Sequence, residues 1–426
     1  MKWLEVKLSD IAVINMGQSP PGNSYNEDGK GIPLFQGKAE FGDMHPTPVK
    51  WCSEPTRIAE SGDILMSVRA PVGPTNIADQ LCCIGRGLCA IRANKKLAVQ
   101  KYLYFLFKYI EPSISRQGQG STFQSINRST LESINIPLPP VYEQSRIVKI
   151  LDQADTLRRM RAEADVKGDR ILPALFIKMF GDPAKNPMGW DIVLVEKLFS
   201  RERAGTKCGP FGSALKKHEY VDKGIPVWGI DNIKPNQFVE SGSLFITPIK
   251  YEELKSYSVE PGDIIISRAG TVGRMCVARP QQSHSIISTN LIRLTLDKKG
   301  IFPEYFTSLL SYFPTSVNQL RASGDDGAYS FMNTTILKSL KIPLPPFDLQ
   351  NEYTRRMAEI RRLNEKQIES QAKLNNIFQC LLYRAFSGEL TAKWREAHIK
   401  ELLVEMEEQA KLLKLETESN YKQLTL

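Results

Sequence analysis

A long internal repeat constrains the fold of this chain more than any other feature of its sequence. Residues 62–73 read GDILMSVRAPVG and residues 262–273 read GDIIISRAGTVG, with no gap inside the match. The segment INIPLPP at 134–140 returns as LKIPLPP at 340–346. Since these landmarks follow one another in the same order in both halves, the sequence predicts two copies of one structural plan.

Both halves share one layout of segments. Each opens with about 140 to 160 residues of short apolar runs, such as 63–68 and 263–267, broken by Gly, Pro, Asn and Asp. Such runs are typical of strands separated by turns. A helical stretch follows, at 100–109 and at 303–313, before the proline-rich segment. The sequence therefore predicts an α/β (α+β) fold with a mixed β-sheet in each half.

A long helix is predicted after each proline-rich segment, because apolar residues recur there every three or four positions. The first is predicted over 143–179 and the second over 349–385, with Gly181 and Gly388 expected to end them. We expect the two helices to pair through matching apolar seams. The seam of the first comprises Ile147, Ile150, Leu151, Ala154, Leu157, Met160, Ile171, Leu172, Leu175, Phe176 and Met179. A shift of 206 residues maps seven of these positions onto Tyr353, Met357, Ile360, Leu363, Ile377, Leu381 and Leu382.

A third helical stretch is predicted near the C-terminus, from about 398 to 416. Two roles stay open for it: it could pack on the helix pair or bind a helix of a partner protein. Its apolar stripe comprises Ile399, Leu402, Leu403, Met406, Ala410 and Leu413.

Composition narrows the chemical class of the protein. The 426 residues carry a formal net charge of +9 and a pI of about 9.0, consistent with a polyanionic partner. The sequence contains no run of 18 apolar residues and no signal-peptide core, so we expect neither a membrane span nor secretion. The seven cysteines form no CxxC pair and the four histidines are scattered, which predicts reduced thiols and no zinc site.

Taken in this order and twice over, these segments resemble the specificity subunits of type I restriction-modification systems across nearly the whole chain. The resemblance rests on the two GDI segments, the doubled IPLPP and the helix start at Glu143–Gln144, with support from CGPFGSALK, FGD and AFSGELTAKW. It implies two similar target-recognition domains joined by two long antiparallel coiled-coil helices. The implied ranges are 1–140 for the first recognition domain, 141–183 for the first spacer helix, 184–346 for the second recognition domain, 347–388 for the second spacer helix and 389–426 for the C-terminal tail.

The same resemblance implies a function and a set of partners. Each recognition domain would read one half of a bipartite site in double-stranded DNA, and the helices would set the spacing and dock two methyltransferase subunits. Restriction subunits, which act as translocases, would join the complex. S-adenosylmethionine would belong to the methyltransferase subunits, and ATP and Mg²⁺ to the restriction subunits, so no cofactor is expected on this chain. The implied location is the prokaryotic cytosol.

Motifs of catalysis are not recognisable in the sequence. An adenine methyltransferase would show an (Asp/Asn)-Pro-Pro-aromatic motif, whereas the nearest string, at 186–189, reads NPMG. The sequence contains no GxxxxGK(S/T) loop for ATP hydrolysis and no familiar nucleophile arrangement. We therefore expect a non-catalytic subunit. The alternatives are a stand-alone sequence-specific DNA-binding protein and, with less support, an enzyme with an unrecognised site.

Candidate DNA contacts are side chains that can donate to base edges or phosphates. The richest segment is 116–128, RQGQGSTFQSINR, whose counterpart at 321–335 keeps an aromatic residue and an asparagine in register. An alternative role for both segments is a turn that closes the domain. The candidates are Lys38, Arg69, Arg116, Gln117, Gln119, Gln124, Asn127, Arg128, Lys216, Lys217, Arg268, Arg274, Arg321, Tyr329 and Asn333.

Overall fold

The structure of the protein is a computed structural model, and its contacts divide the chain into two units. The first unit comprises Met1–Glu163 and Ile368–Leu426, and the second comprises Ala164–Gln367. Both combine helices with short strands, which confirms the predicted fold class. The residues described are 2–117 (at 117 the backbone alone), 125–211, 214–234, 236–240, 242, 244–268, 273–313 and 333–414.

Elements of the first half are short strands followed by longer helices. Turn-forming residues interrupt the apolar runs every few positions, which keeps the strands short. In chain order the elements are β1 (Leu4–Lys7), α1 (Leu8–Ile11), β2 (Ala12–Met16), β3 (Tyr25–Asn26), β4 (Ile32–Phe35), β5 (Lys50–Cys52), β6 (Ile58–Ala59), β7 (Ile64–Ser67), β8 (Thr75–Ile77), β9 (Cys82–Ile84), β10 (Leu88–Ala93), α2 (Gln100–Gln117), α3 (Arg128–Glu132), β11 (Asn135–Leu138) and α4 (Val141–Gly168).

The second half follows a similar order, with an additional helix, α6, before β18, and ends in further helices. In chain order its elements are α5 (Ile171–Phe180), β12 (Asp191–Leu194), β13 (Thr206–Cys208), β14 (Ile225–Trp228), β15 (Ile233–Lys234), β16 (Gln237–Phe238), β17 (Leu244–Ile246), α6 (Pro248–Leu254), β18 (Ile264–Ser267), β19 (Met275–Val277), β20 (Ile286–Ile287), β21 (Leu291–Leu294), α7 (Pro303–Tyr312), α8 (Thr334–Ser339), β22 (Lys341–Leu344), α9 (Phe347–Phe386), α10 (Ala392–Ala397) and α11 (Ile399–Leu412).

The two units share one sheet topology. The strand order β2-β10-β7-β8 of the first unit corresponds to β13-β21-β18-β19 of the second, and both sheets are antiparallel. A further sheet in each unit contains a parallel pair, β4 with β9 and β14 with β20. The first strand of each unit pairs with the strand of the proline-rich segment, β1 with β11 and β12 with β22. The sequence repeat is therefore a repeat of the fold.

The matched GDI segments form a tight turn followed by a buried strand. Gly62 and Gly262 have φ of +90° and +94°, a left-handed conformation that favours glycine. The carboxylate of the next residue, Asp63 or Asp263, accepts a hydrogen bond from the backbone N–H three residues earlier, at 2.9 and 2.8 Å respectively. The most similar segment of the two halves is thus explained by the turn that it builds.

The first long helix is interrupted, and the prediction of one continuous helix over 143–179 is wrong. The structure has α4 and α5, separated by residues 169–170. Pro173 explains the break, because proline lacks a backbone N–H and its ring would clash with the Asp169 carbonyl in a continuous helix. In the first turn of α5 the same residue is tolerated. The predicted end at Gly181 is confirmed, with φ of +80°.

Only part of the predicted seam is buried. Ile147 and Leu151 of α4 share a core with Leu382 of α9 in the first unit, and Phe176 of α5 shares one with Met357 of α9 in the second. In each unit the start of one long helix therefore packs beside the end of the other. After Leu151, the next buried residue on this face of α4 is Asp155, four residues later, and not the predicted Leu157 or Met160. The prediction is wrong for Leu157, Met160, Ile171, Leu363 and Ile377, which are exposed.

The C-terminal helices pack within the first unit. Glu405 of α11 accepts a hydrogen bond from the Tyr142 N–H, at 3.0 Å, in the first turn of α4. The Gln409 side chain donates to the carbonyls of Leu97, at 3.1 Å, and Pro139, at 3.3 Å. Of the two roles left open by the sequence, the structure supports packing within this chain. The buried apolar residues of α11 are Leu402, Met406 and Ala410.

The cysteines are free thiols, and all seven lie in the described part of the chain. Burial raises the pKa of Cys82 and of Cys89 to about 12, so both stay protonated and are poor nucleophiles. Among the described residues, no cluster of His, Cys, Asp and Glu side chains could hold a metal ion. The described helices also include none that is long and apolar enough to cross a membrane.

Candidate nucleic-acid interface

Three loops of the first unit meet where β4, β7 and β9 end. The Gly85 N–H donates to the Phe35 carbonyl at 2.8 Å. The Val68 N–H donates to the Gly87 carbonyl at 2.9 Å. Glycine permits the close approach, because a Cβ at Gly87 would lie 2.1 Å from the carbonyl oxygen of Gln36. We call these loops, residues 36–38, 67–70 and 85–87, the first loop cluster.

Three cationic side chains of the first loop cluster, Lys38, Arg69 and Arg86, line a cleft of about 520 Å³. Ser19 and Gln36 line the same cleft. All three cations are exposed, and none of them forms an ion pair with another described residue. Solvated cations attract phosphates, while amide, hydroxyl and guanidinium groups can donate to base edges. The cleft therefore has the chemistry of a nucleic-acid contact.

Different residues build the same backbone arrangement in the second unit. The Ser288 N–H donates to the Trp228 carbonyl at 2.8 Å, and the Arg268 N–H donates to the Asn290 carbonyl at 3.0 Å. These hydrogen bonds correspond one for one to those of the first loop cluster. Gly209 also approaches closely, since a Cβ there would lie 1.9 Å from the Ser288 carbonyl oxygen. We call residues 229–230, 268 and 288–290 the second loop cluster.

The two loop clusters carry different side chains on the same backbone scaffold. Thr289 in the second cluster occupies the position of Arg86 in the first, because each stands two residues before the start of the corresponding strand, β21 or β10. The Arg268 guanidinium lies over the ring of Phe211, 4.7 Å from its centroid. The first cluster thus presents three cations, whereas the second presents an arginine stacked on an aromatic ring beside hydroxyl and amide groups.

Asn127 and Asn333, predicted as DNA contacts in register, are both helix N-caps. The Asn127 side-chain oxygen accepts a hydrogen bond from the Thr130 N–H at 2.9 Å. The Asn333 oxygen accepts one from the Ile336 N–H, also at 2.9 Å. Capping explains why asparagine recurs at this position, because its side chain satisfies an otherwise unpaired N–H of the first turn. The turn-closing alternative thus accounts for both asparagines, and their contact with DNA stays a prediction.

Other residues of the predicted segments lie partly in helices. Helix α2 extends to Gln117, so Arg116 is helical, and its Nε donates to the Pro112 carbonyl at 3.1 Å. Arg128 pairs with Glu132 at 2.7 Å on the exposed side of α3. Gln119, Gln124, Arg321 and Tyr329 lie outside the described residues.

The predicted phosphate contacts of the second unit lie in two places, with Lys216 and Lys217 at one short turn and Arg274 directly before β19. Lys216 and Lys217 are exposed at a short 3-10 turn, where the Lys216 N–H donates to Glu219 at 2.5 Å. Arg274 donates to the Ile233 carbonyl at 3.5 Å. Their contact with DNA stays a prediction.

Of the predicted residues, Lys38 and Arg69 are brought together in the first loop cluster, and Arg268 lies in the second. Arg86 was not among the predicted contacts. A signal for it was present, because Gly85-Arg86-Gly87 stands between two strands that are almost wholly buried. A charged residue between such strands has to lie at an exposed turn.

Comparison with known protein families finds the same duplication. The family described as "Type I restriction modification DNA specificity domain" matches residues 1–164 and again residues 211–374. The chain belongs to this family. Each family match covers most of one structural repeat, and the resemblance inferred from the motifs is confirmed.

Similar proteins within the family are specificity subunits of type I restriction enzymes. The EcoDI specificity subunit of Escherichia coli is 34% identical over 92% of this chain and 90% of its own length. The EcoBI specificity subunit, also of Escherichia coli, is 22% identical over 92% of this chain and 87% of its own. A protein of Methanocaldococcus jannaschii named as the MjaX specificity subunit is 49% identical over 144 residues. That match spans 34% of each of the two chains.

A solved structure from the family has the same fold. The crystal structure of the type I restriction-modification S subunit from M. genitalium matches 91% of this chain and 96% of its own, with a TM-score of 0.56. The two sequences are 18% identical, so this likeness concerns the fold alone.

Proposed function

We propose that this chain is the DNA specificity subunit of a type I restriction-modification complex and that each unit reads one half of a bipartite site. The observation that carries the proposal is the pair of loop clusters, which share their backbone hydrogen bonds but differ at Arg86 and Thr289. The shared protein backbone would place each unit on the DNA in the same way, whereas the side chains that contact base edges would determine which sequence is bound. One scaffold with two sets of side chains therefore suits a site with two different halves, and the long helices would set their spacing.

The long helices also expose equivalent apolar side chains in the two units. Three positions in one unit are related to three in the other by the shift of 206 residues, and all six side chains are between 38% and 57% exposed. Exposed apolar side chains at equivalent positions of a repeat favour a role in contact with a partner. We call them the first helix surface (Leu157, Ile377 and Tyr383) and the second helix surface (Leu363, Ile171 and Ile177). One methyltransferase subunit would dock on each surface.

Aspartate on the first helix surface is expected to remove one of the two methyltransferase subunits. In Leu157→Asp with Ile377→Asp, docking would bury two unpaired carboxylates, which is strongly unfavourable. Native mass spectrometry of the assembled complex should show one methyltransferase subunit instead of two. Adding Leu363→Asp and Ile171→Asp should remove the second.

The matched control for this experiment is Ile249→Asp in α6, because Ile249 is 79% exposed and lies outside the long helices. It should leave both subunits bound. Two methyltransferase subunits on the fourfold variant would contradict docking on these surfaces.

The chain would contribute binding rather than chemistry to the complex. S-adenosylmethionine would be bound by the methyltransferase subunits, and ATP with Mg²⁺ by the restriction subunits. The loop clusters support this division, because residues 36–38, 67–70 and 85–87 supply cations, amides and hydroxyls but no carboxylate for acid–base work.

Mapping of modified bases in cells that express this chain with its methyltransferase subunits tests the proposed function. We expect methylation at a split sequence with two defined halves and a fixed spacer, and none at that sequence when this chain is left out. Binding of S-adenosylmethionine by the purified chain would contradict the proposal and support an enzyme. Tight sequence-specific DNA binding by the chain without partners would instead support a stand-alone DNA-binding protein.

A further inference from the structure

The loop tip between β9 and β10, residues 85–87, is held on both sides by backbone hydrogen bonds. On one side the Gly85 N–H donates to the Phe35 carbonyl at 2.8 Å. On the other side the Gly87 carbonyl accepts from the Val68 N–H at 2.9 Å. The tip is therefore tied to the loops that follow β4 and β7, and its position follows from the sheets beneath it.

Steric contacts also fix the backbone at Arg86. A Cβ at Gly85 would lie 3.2 Å from the Cα of Gln36, and one at Gly87 would lie 2.1 Å from the Gln36 carbonyl oxygen. Glycine is thus required at position 87, and at position 85 it avoids a tight contact, for the tip to lie this close to its neighbour. The Arg86 side chain itself is exposed and has no ion-pair or hydrogen-bond partner among the described residues.

An exposed arginine on a fixed backbone is suited to reading a base. The planar guanidinium matches the O6 and N7 acceptors of guanine in the major groove, and this is the commonest specific contact between proteins and DNA. A positioned backbone lowers the entropy lost when the contact forms. We propose that Arg86 reads a guanine in the half-site recognised by the first unit, an inference that rests on the proposed function.

Lys38 lines the same cleft, but its role would differ from that of Arg86. Its ammonium is a compact charge without a fork, so it would contact a phosphate and add affinity without selecting a base. The two residues therefore predict different responses to sequence and to salt. These responses distinguish a residue that recognises a base from one that binds a phosphate of the DNA backbone.

The test uses complexes of methyltransferase subunits with wild-type chain, Arg86→Lys, Arg86→Ala, Lys38→Ala or Lys95→Ala. Methylation rates are measured on a DNA library with each half-site position randomised, and affinity is measured against salt concentration. Lys95 is the control, because it is exposed and lies beyond the far end of β10 from the loop tip.

Arg86→Lys should keep the salt slope, because the number of cations is unchanged, but lose the fork. Discrimination for guanine at one position should fall roughly 5- to 150-fold. Arg86→Ala should lose the same discrimination and some affinity. Lys38→Ala should weaken binding to all sequences alike and reduce the log–log salt slope by about 0.9. Lys95→Ala should match the wild type.

A loss in both Arg86 variants that is equal for all sequences would overturn the assignment and make Arg86 a phosphate contact. Unchanged base preference in both would overturn it as well, as would a changed preference in the half-site of the second unit. If the wild-type complex itself prefers no sequence, the proposed function fails, and this inference fails with it.

Discussion

Replacing Glu143 with alanine is expected to lower the free energy of unfolding of the first unit by about 3–5 kcal/mol. Glu143 lies in the first turn of α4 and is fully buried. Its carboxylate accepts hydrogen bonds from Trp3 Nε1 at 3.0 Å, Thr391 Oγ1 at 2.6 Å and Arg395 Nε at 2.8 Å. The Arg395 side chain is only 13% exposed. Most of the cost therefore comes from leaving the buried charge of Arg395 without a counter-charge, although its guanidinium keeps the hydrogen bond to the Gly388 carbonyl.

Hydrogen exchange measures whether this loss of stability is confined to the first unit. In Glu143→Ala the amides of α4 and α11 should exchange faster, because the carboxylate joins the start of α4 to the C-terminal segment. Amides of β18 and β21 in the second unit should keep their wild-type protection. Glu163→Ala, at an exposed position of the same helix, is the control. Wild-type protection of α4 in Glu143→Ala would show that the buried carboxylate contributes little.

Leu349 occupies the position in the second unit that corresponds to Glu143, 206 residues later. An apolar side chain is therefore compatible with this place in the repeat. Glu143→Leu combined with Arg395→Leu should recover most of the lost stability, because no buried charge is left unpaired. Glu143→Leu alone should be nearly as unstable as Glu143→Ala.

Features that depend on local backbone chemistry could be predicted from the sequence. The GDI segments require glycine at a left-handed φ, and the IPLPP segments end a strand and begin a helix. The second long helix was predicted over 349–385 and spans Phe347–Phe386, because no proline interrupts it. Because the two halves repeat, each local prediction made for one unit also applied to the other.

Features that depend on what covers a surface could not be predicted in the same way. Leu157 and Leu363 have the spacing of seam residues, but both are exposed. The apolar pattern alone does not distinguish a face buried in its own fold from one left exposed for a partner. Pro173, by contrast, offered a local signal for the break in the first long helix that the seam pattern obscured.

The first loop cluster shows the same limit for a candidate site. Lys38 and Arg86 are 48 residues apart in the sequence, and the parallel pairing of β4 with β9 brings their loops together. Because two parallel strands are joined by a long connection, no local sequence pattern predicts that these two strands pair. Asn127 and Asn333 show a second limit, because helix capping alone accounts for their repetition. Their contact with DNA stays a prediction.

Exchange of the first recognition domain, together with the C-terminal tail, for those of a relative is expected to change one half of the methylated site completely and to leave the other unchanged. The structure indicates why the tail has to be included. Gln409 contacts the carbonyls of Leu97 and Pro139, so the C-terminal helices belong to the first unit. Residues 1–140 should therefore be exchanged together with 389–426 from the same donor.

Sequencing of methylated bases in cells that carry the wild-type or the exchanged chain shows directly whether each unit reads its own half of the site. Two methylated sequences are expected that share one half and differ in the other. The reciprocal exchange, of residues 184–346, should change the half that the first exchange preserves. A change in both halves after exchange of one unit, or in neither half, would contradict the claim that each unit reads its own half of the site.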